Sequence, residues 1–582
     1  PTALIIIGFI FSSFIGFLYF LENPFTPTYN ILDGNGTTPS LQNLLMLIHP
    51  PLLYMGYIGF LIPFAVTLSS LIENSHDSKY LKSNRKTTLS SWLILTVAII
   101  LGGRWAYLEL GWGGYWAWDP VENASLMPWL ISTAYLHSIL VEQSKGMLRL
   151  WNVILISLTY WLTILGVCIV RSGIIQESVH TFAESPIGYW LLGLTIIIFI
   201  ASLLVIITKA KNIKPKEKIE SFASRESGFL YNNVLFVGLM LFIMFAILQP
   251  VFHKIIFQSS NVMVDMNGYN GIAVIFGALL LLLMGVGPFL AWRKTPKNIL
   301  KKIFFIPAVV SIITFGISYI AIGWLDAFNL TNLLVSIYIM LIVFVAFGIF
   351  DEFIRATHLR VKNKKENYGK AFFSLLKINQ SRYGGYIVHL GFLIMVIGIL
   401  GKAFDLKTSS SINLEESNDN IAIGPYTISS SKATFPYHSI ERSDNIGDED
   451  LVEYLNNVEE QSRVSYKELN NKTLIINNSE RSNHFAQIVN LKINKSGDEK
   501  LMTVEKRFYT SPFDITKEIA LRSDLIKDIY IVLDRIDYNN KTIYITIWVN
   551  YLVNWVWIGT AVMLIGGLIS LGLFEPRNRG KR

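Results

Sequence analysis

Twelve runs of about twenty apolar residues recur along this 582-residue chain, and each is long enough to cross ~30 Å of hydrocarbon as a helix. They lie near 2–20, 46–71, 91–108, 127–142, 151–171, 187–208, 229–250, 270–292, 303–322, 331–353, 383–402 and 548–573. A chain in lipid must satisfy its own backbone hydrogen bonds, so runs of this length specify helices. Composition agrees: 52% of the residues are apolar and only 16% charged, outside the soluble globular range. The run at 127–142 is the shortest. The first is too long and too lightly charged in front to read as a cleaved signal peptide. The chain opens on Pro1 rather than methionine, so its natural beginning is expected to lie upstream.

Basic residues then orient the spans, because short loops rich in Lys and Arg stay on the side of synthesis. The loops at 72–90, 143–150, 209–228, 293–302, 354–382 and the tail 574–582 carry 29 Lys or Arg. The opposite loops at 21–45, 109–126, 172–186, 251–269 and 323–330 carry one, Lys254. The net charge of +8 is therefore a topology signal and not a nucleic-acid footprint. His49, His180, the segment around 111–123 and the long polar stretch 403–547 all fall on the outer face.

The chain thus divides into a helical membrane region over 1–402, an outer-face stretch over 403–547, a last span at 548–573 and a basic inner tail at 574–582. The polar stretch alternates apolar and polar residues in "KTLIINN", "AQIVNLKIN" and "DIYIVLDRIDYNNKTIYITIWVN". That period of two, broken by Asn-Asn and Ser/Gly clusters, predicts an antiparallel β-sandwich or barrel. The expected fold is a polytopic α-helical membrane protein of about 12 transmembrane helices with an outward-facing β-rich soluble domain before the last helix. His438 and His484 in that domain read as solvated. Cys168 is the only cysteine and lies inside a span, so the chain has no disulfide, zinc cluster or thiol relay of its own.

One segment stands apart. "GWGGYWAWDPVEN", residues 111–123, belongs to a stretch of 25 residues holding Trp105, Trp112, Trp116, Trp118 and Trp129, five of the fourteen tryptophans. An interfacial belt, which spreads Trp and Tyr over many helix ends, is the competing reading. Against it stands the density of rings beside Gly111, Gly113 and Gly114, which let backbone approach a planar ligand. Asp119-Pro120 and Glu122 would turn the chain there and receive polar or cationic groups. A large, flat, mostly apolar ligand such as haem fits, and haem asks for axial ligands. His49, in "LIHPPLLYMGY", and His180, in "SGIIQESVHTF", bracket the segment on the same face. His137, in "STAYLHSIL", and His389, in "GGYIVHLGF", lie ~15 and ~20 Å inside their spans by the helical rise. An intramembrane histidine is a functional hypothesis by default, and a matched pair is what a bis-histidine haem b needs. The alternative for that pair is an interhelical hydrogen bond. His76 and His358 fall on the basic side and read as solvated, and His253, at an outer helix end, carries no assigned role.

"WGGYWAWDPVENASLMPWL" resembles the tryptophan-rich WWD signature, about 104–129 here, of the haem-handling proteins of cytochrome c maturation. With "IHPPLLYMGYIGF", "VRSGIIQESVHTFA", "YGGYIVHLGF", "VEKRFYT" and the closing "FEPRNRGKR" in that order, the chain is most similar to the CcmF haem lyase subunits. The resemblance implies roles by position. His49 and His180 would be axial ligands of substrate haem. Trp112, Gly113, Gly114, Tyr115, Trp116, Trp118, Asp119, Glu122 and Asn123 would form the platform. His137 and His389 would hold a permanent intramembrane haem b. It also implies haem delivered by a CcmE-type chaperone, a CcmH-type thiol subunit, an apocytochrome c acceptor with a Cys-x-x-Cys-His motif, and quinol as the candidate electron donor.

Two departures stand out. The usual Trp-Trp pair reads Tyr115-Trp116, and longer family members carry further spans before the region aligned with residue 22. A separately encoded N-terminal CcmF fragment is therefore an expected partner. A lean toward Asn, Lys and Ile fits an AT-rich genome, either bacterial or mitochondrial, with the mitochondrial inner membrane favoured over a bacterial plasma membrane. Three functions stay open: a haem lyase, a haem transporter or chaperone that makes no bond, and an ion or proton transporter. The last wants acidic or lysine residues at mid-membrane depth, and the spans hold almost none.

Overall fold

The computed structural model describes residues 1–21, 23, 25, 36–75, 78–172, 187–213, 219–257, 263–326, 328–413, 419–430, 484–495, 497–510, 513–537, 540 and 542–572. Among these, twelve helical stretches are long and apolar enough to cross a membrane, the number read from the sequence. They are α1 (Thr2–Phe20), α2 and α3 together (Leu44–Gly59, Leu61–Ile72), α4 (Ser78–Glu109), α5 (Pro120–Lys145), α6 (Arg149–Arg171), α7 (Ile187–Lys209), α8 (Arg225–Phe257), α9 (Met266–Val286), α10 (Lys297–Leu325), α11 (Leu330–Lys364), α13 (Gln380–Gly401) and α14 (Val553–Ser570). A short helix, α12 (Tyr368–Ile378), lies between α11 and α13 and spans nothing.

The run at 127–142 is the visible part of a longer helix. α5 starts at Pro120, seven residues earlier, because Asp119 caps it and Pro120 supplies a preset φ at its first position. Ser125, Ser132 and Thr133 dilute its hydropathy, yet they are buried against neighbouring helices instead of lipid. The last span is shorter than its apolar run: extended backbone continues to Tyr551, and the helix opens at Val553 after a left-handed Leu552.

Between α13 and α14 the described residues form nine antiparallel strands in two sheets. β1 (Leu406–Asn413), β9 (Thr542–Tyr551), β8 (Lys527–Asp537) and β7 (Ala520–Ser523) make one, in that order. β2 (Asn420–Ile423), β3 (Tyr426–Ser430), β4 (His484–Lys495), β5 (Asp498–Thr510) and β6 (Phe513–Glu518) make the other. The sheets share a core of Ile412, Ile428, Val489, Leu491, Ile493, Val504, Ile529, Ile531, Leu533, Ile543, Ile545 and Ile547. Alternation along each strand sends these side chains to one face, so the layers stack as a sandwich. β8 is buried on both faces. Its other side puts Tyr530 and Val532 against Tyr107 of α4 and Val553 of α14, which seats the sandwich on the helical bundle.

α13 and α14 cross at backbone contact. Gly384, Gly391 and Gly398 recur every seven residues on α13, and a Cβ at Gly391 would stand 2.5 Å from Met563 N and 2.6 Å from Gly559 O. Small residues in a membrane interface permit this approach, where van der Waals packing replaces a hydrophobic driving force. The crossing fixes α13, which carries His389.

Candidate functional site

The two intramembrane histidines meet. His137 lies eight residues before the end of α5, and His389 nine residues after the start of α13. At about 1.5 Å per residue both rings sit roughly 12–14 Å from the basic ends of their helices. Because α5 begins seven residues before its apolar run, His137 lies farther from the outer end of its helix than the sequence depth implied, whereas the depth of His389 in α13 is little changed. The rings stand with centroids 6.1 Å apart and planes 20° from parallel. His137 Nδ1 lies 2.8 Å from the Thr133 carbonyl one turn back. A carbonyl only accepts, so Nδ1 carries the hydrogen and Nε2 keeps the lone pair. Phe229 and Phe236 of α8 flank the His137 ring with centroids at 5.9 and 6.4 Å.

His49 is held in the same manner at a different place. Its Nδ1 donates to the carbonyl of Ala98 on α4 at 2.7 Å, which again leaves Nε2 as the lone-pair nitrogen. The ring lies on Gly102: a Cβ there would come within 2.7 Å of His49 Cε1. Asn43 caps α2 through Leu45 N at 2.7 Å and its amide reaches the Glu109 carboxylate, which ties the start of α2 to the end of α4. His180 lies outside the described residues, as do His76 and His438. His253 packs its ring on Phe257, with centroids 5.1 Å apart, and His358 Nδ1 stands 3.1 Å from the Tyr368 hydroxyl.

The tryptophan-rich segment joins α4 to α5 and is held from three sides. At its far end the Asp119 carboxylate accepts from Val121 N at 2.8 Å, and Glu122 Oε2 accepts from Asp119 N at 3.1 Å and Ala117 N at 2.9 Å. This reciprocal capping box turns both carboxylates onto backbone N–H groups. Buried Asn123 donates to the Trp118 carbonyl at 2.8 Å, and Trp118 takes φ +59°, a left-handed conformation a bulky residue seldom adopts. α9 holds the Trp118 side chain. The indole stacks on Tyr269 at 5.2 Å and 8°, and its Nε1 donates to Asn270 at 2.8 Å.

The near end is held by the sandwich. Gly113, at φ +80°, lies against Trp548 of β9, whose indole atoms would be 2.7 Å from any Cβ there. Asn550 donates to the Gly113 carbonyl at 2.9 Å and to the Tyr107 hydroxyl at 3.0 Å, and Tyr107 donates to Asp528 at 3.0 Å. Trp112 folds over Gly114 with the Lys402 ammonium 5.9 Å from its ring. Tyr115 meets Trp557 edge-on at 5.9 Å. The rings do not form one flat wall: Trp116 stands at 87° to Trp118. The sequence reading missed Tyr107, which lies within the WWD stretch itself, and Tyr269, Asn270, Trp548 and Asn550, whose separations in the chain, 152 residues for Trp118–Asn270 and 437 for Gly113–Asn550, no local spacing could bridge.

The sequence profile of the cytochrome C assembly protein family matches residues 1–175. The cytochrome c-type biogenesis protein CcmF of Haemophilus influenzae is 31% identical over 99% of this chain and 79% of that protein. CcmF of Escherichia coli is 29% identical over the same shares. A solved structure of a cytochrome c haem lyase CcmF has the same fold, with a TM-score of 0.70 at 22% identity over 98% of this chain and 77% of that one. On the match to the Haemophilus influenzae protein the chain belongs to the CcmF family, an integral membrane component of cytochrome c maturation.

Proposed function

We propose that this protein is the haem lyase subunit of cytochrome c maturation, with two haem positions: a substrate position at the WWD segment and a permanent haem b between His137 and His389. The observation that carries the haem reading is the histidine pair. A ligating imidazole nitrogen stands about 2.0 Å from a first-row metal and roughly 1.1 Å from its own ring centroid, so two axial imidazoles have centroids about 6 Å apart. The 6.1 Å separation, the near-parallel rings and the Nε2 lone pair of His137 fit that arrangement. A packing pair would need neither the fixed tautomer nor the depth. A haem bound there would supply one-electron transfer, with quinol as its candidate donor.

At the outer position His49 and His180 are the proposed axial ligands of the substrate. The segment 111–123 supplies ring faces at Trp112, Tyr115, Trp116 and Trp118 and close backbone at Gly113 and Gly114. Asp119, Glu122 and Asn123 act indirectly: the capping box and the Asn123 bond keep Trp118 in its strained conformation, so the rings are preorganised. A CcmE-type chaperone delivers the substrate, and a CcmH-type subunit presents apocytochrome c. The two acceptor thiols then add across the vinyl groups of haem. Sulfur bonds to one vinyl carbon and the thiol hydrogen ends on the other, so each addition is redox-neutral. The lyase supplies no thiol, in keeping with a single cysteine, Cys168, buried in α6. Its contribution is orientation. The site lies in a membrane whose outer face carries apocytochrome c, the mitochondrial inner or bacterial plasma membrane, with a separate N-terminal CcmF fragment as a further proposed partner.

The test is a reduced-minus-oxidised spectrum with pyridine haemochrome quantitation on the wild type, His137→Ala, His389→Ala and a His49→Ala/His180→Ala double variant. The b-type signal is expected to vanish in the first two variants and to persist in the third, while thioether-linked product disappears in the third. A signal unchanged in every variant would overturn the two-position reading. Haem transfer without thioether product would leave a transporter.

A further inference from the structure

Below the histidine pair the three helices that enclose it converge on a cluster with surplus positive charge. Arg225 opens α8, one turn before Phe229, whose ring touches His137. Arg382 lies on α13, two turns before His389. Lys145 ends α5, two turns after His137. The Arg225 guanidinium lies over the Trp292 ring at 5.2 Å, and the Lys145 ammonium reaches the same ring at 5.8 Å. Arg382 and Arg355 share one carboxylate, Glu352, at 2.8 and 2.9 Å. Glu226, next in sequence to Arg225, accepts from the Arg293 backbone N–H at 2.9 Å. Arg225 is within electrostatic range of Tyr386, Arg382, Glu226 and Glu352, and its guanidinium donates to the neutral carbonyls of Leu290 and Pro288, at 2.9 and 2.7 Å. Four cations, Arg225, Arg382, Arg355 and Lys145, thus stand with two carboxylates, Glu226 and Glu352, which leaves the cluster net positive.

Carbonyl partners satisfy donors and leave charge unbalanced, a costly state for a half-buried guanidinium unless an anion completes it. The line joining the two histidine rings runs between helices, across the bundle. A planar ligand held perpendicular to that line therefore lies along the bundle axis, with one edge toward the cluster. Guanidinium groups match carboxylates in shape and charge.

We propose that Arg225 and Arg382 receive the two carboxylates of the porphyrin held by His137 and His389, so that its propionate edge points to the basic end of the bundle and its vinyl edge away. This rests on the haem b reading above. Lys145, which reaches the same Trp292 ring as Arg225, adds charge, and Glu352 holds Arg382 in place.

The test titrates purified full-length protein, stripped of haem, with iron protoporphyrin IX and with its dimethyl ester, which lacks the charges but keeps the iron and the vinyls. A His49→Ala/His180→Ala background removes binding at the outer position, and absorbance with tryptophan quenching reports occupancy. The parent background is expected to prefer the free acid by about tenfold or more, the worth of one charge-assisted contact. Arg225→Gln/Arg382→Gln is expected to bind both porphyrins alike, with ester affinity unchanged. Equal binding of acid and ester by the parent, or full preference retained by the double variant, would overturn the proposal. Should Arg225→Gln bind neither porphyrin, Arg382→Gln alone decides on the same two outcomes. Unaltered binding of both porphyrins by His137→Ala/His389→Ala would instead sink the haem b reading itself.

Discussion

Asn550 in β9 donates its side-chain amide to the carbonyl of Gly113, 437 residues earlier in the chain, at 2.9 Å. The same amide reaches the Tyr107 hydroxyl, and Tyr107 donates to Asp528, so one buried network binds the sandwich, the end of α4 and the WWD segment. Asn550→Ala would leave the half-buried Gly113 carbonyl without this donor, a cost of about 1 kcal/mol. The segment is expected to loosen at its near end while α5, capped by Asp119, stays folded. Thioether yield with the maturation partners should fall at least tenfold, and the intramembrane b-type signal should be kept. Unchanged yield would mean that the sandwich does not support the platform.

The crossing of α13 and α14 makes a second prediction. Gly391 has backbone of α14 at 2.5 Å from its would-be Cβ, whereas Gly385 on the same helix has nothing within 4 Å. Gly391→Val forces the helices apart and is expected to cost about 3 kcal/mol or more, the upper range for overpacking. His389 moves with α13, so the b-type signal should be lost. Gly385→Ala should keep both the signal and the thermal midpoint within a degree or two. Equal behaviour of the two variants would refute the argument that this contact positions His389.

Asp405 stands just beyond α13 and accepts from the Tyr551 N–H at 2.7 Å. Burial pushes its carboxyl up to about 7, with the charge of Asp528 adding, against the opposing pull of the Tyr551 N–H and Lys402. An unfolded carboxyl titrates near 3.8. Between that value and 7 the folded state holds the extra proton, so stability falls as pH rises through this window and levels off above it. Asp405→Asn keeps an acceptor for Tyr551 and removes the titration. Its thermal midpoint should gain on the wild type as pH rises from about 5 to about 8. Parallel curves for the two proteins would show that Asp405 is not the titrating group.

Much of this architecture is legible in the residues because lipid imposes a simple code. Length and apolarity mark the spans, and period-two alternation marks the strands. α5 was legible only in part: Ser132 and Thr133 read as polar, but they face other helices, and burial against protein costs a hydroxyl little when a carbonyl one turn back accepts from it. "DIYIVLDRID" hid a second fact, since Ile529, Ile531 and Leu533 fill the sandwich while Tyr530 and Val532 meet the bundle. His137 and His389 could be matched by depth but not brought together by it, as contact depends on the glycine crossing of α13 with α14. The arrangement of the rings at 112–118 was not legible. Stacking on Tyr269 and packing on Trp548 are set by tertiary contacts that no local pattern encodes.

His389→Met separates ligation from packing more sharply than alanine does. Alanine removes both a ligand and ring volume, so signal loss has two explanations. Methionine is flexible, fills similar space and keeps a soft donor atom. If His389 is an axial ligand, its replacement by a thioether retains a bound haem at reduced occupancy and raises the midpoint potential, as histidine–methionine ligation does relative to bis-histidine. His137→Met should behave alike, because the two rings are related across one shared axis at 6.1 Å. If the rings merely pack, neither variant has a ligand to change, and any haem present keeps its wild-type potential. A potentiometric titration of the two variants beside the wild type distinguishes these cases, since occupancy alone cannot move a midpoint: a positive shift in both supports paired ligation, and a shift in only one confines ligation to that histidine.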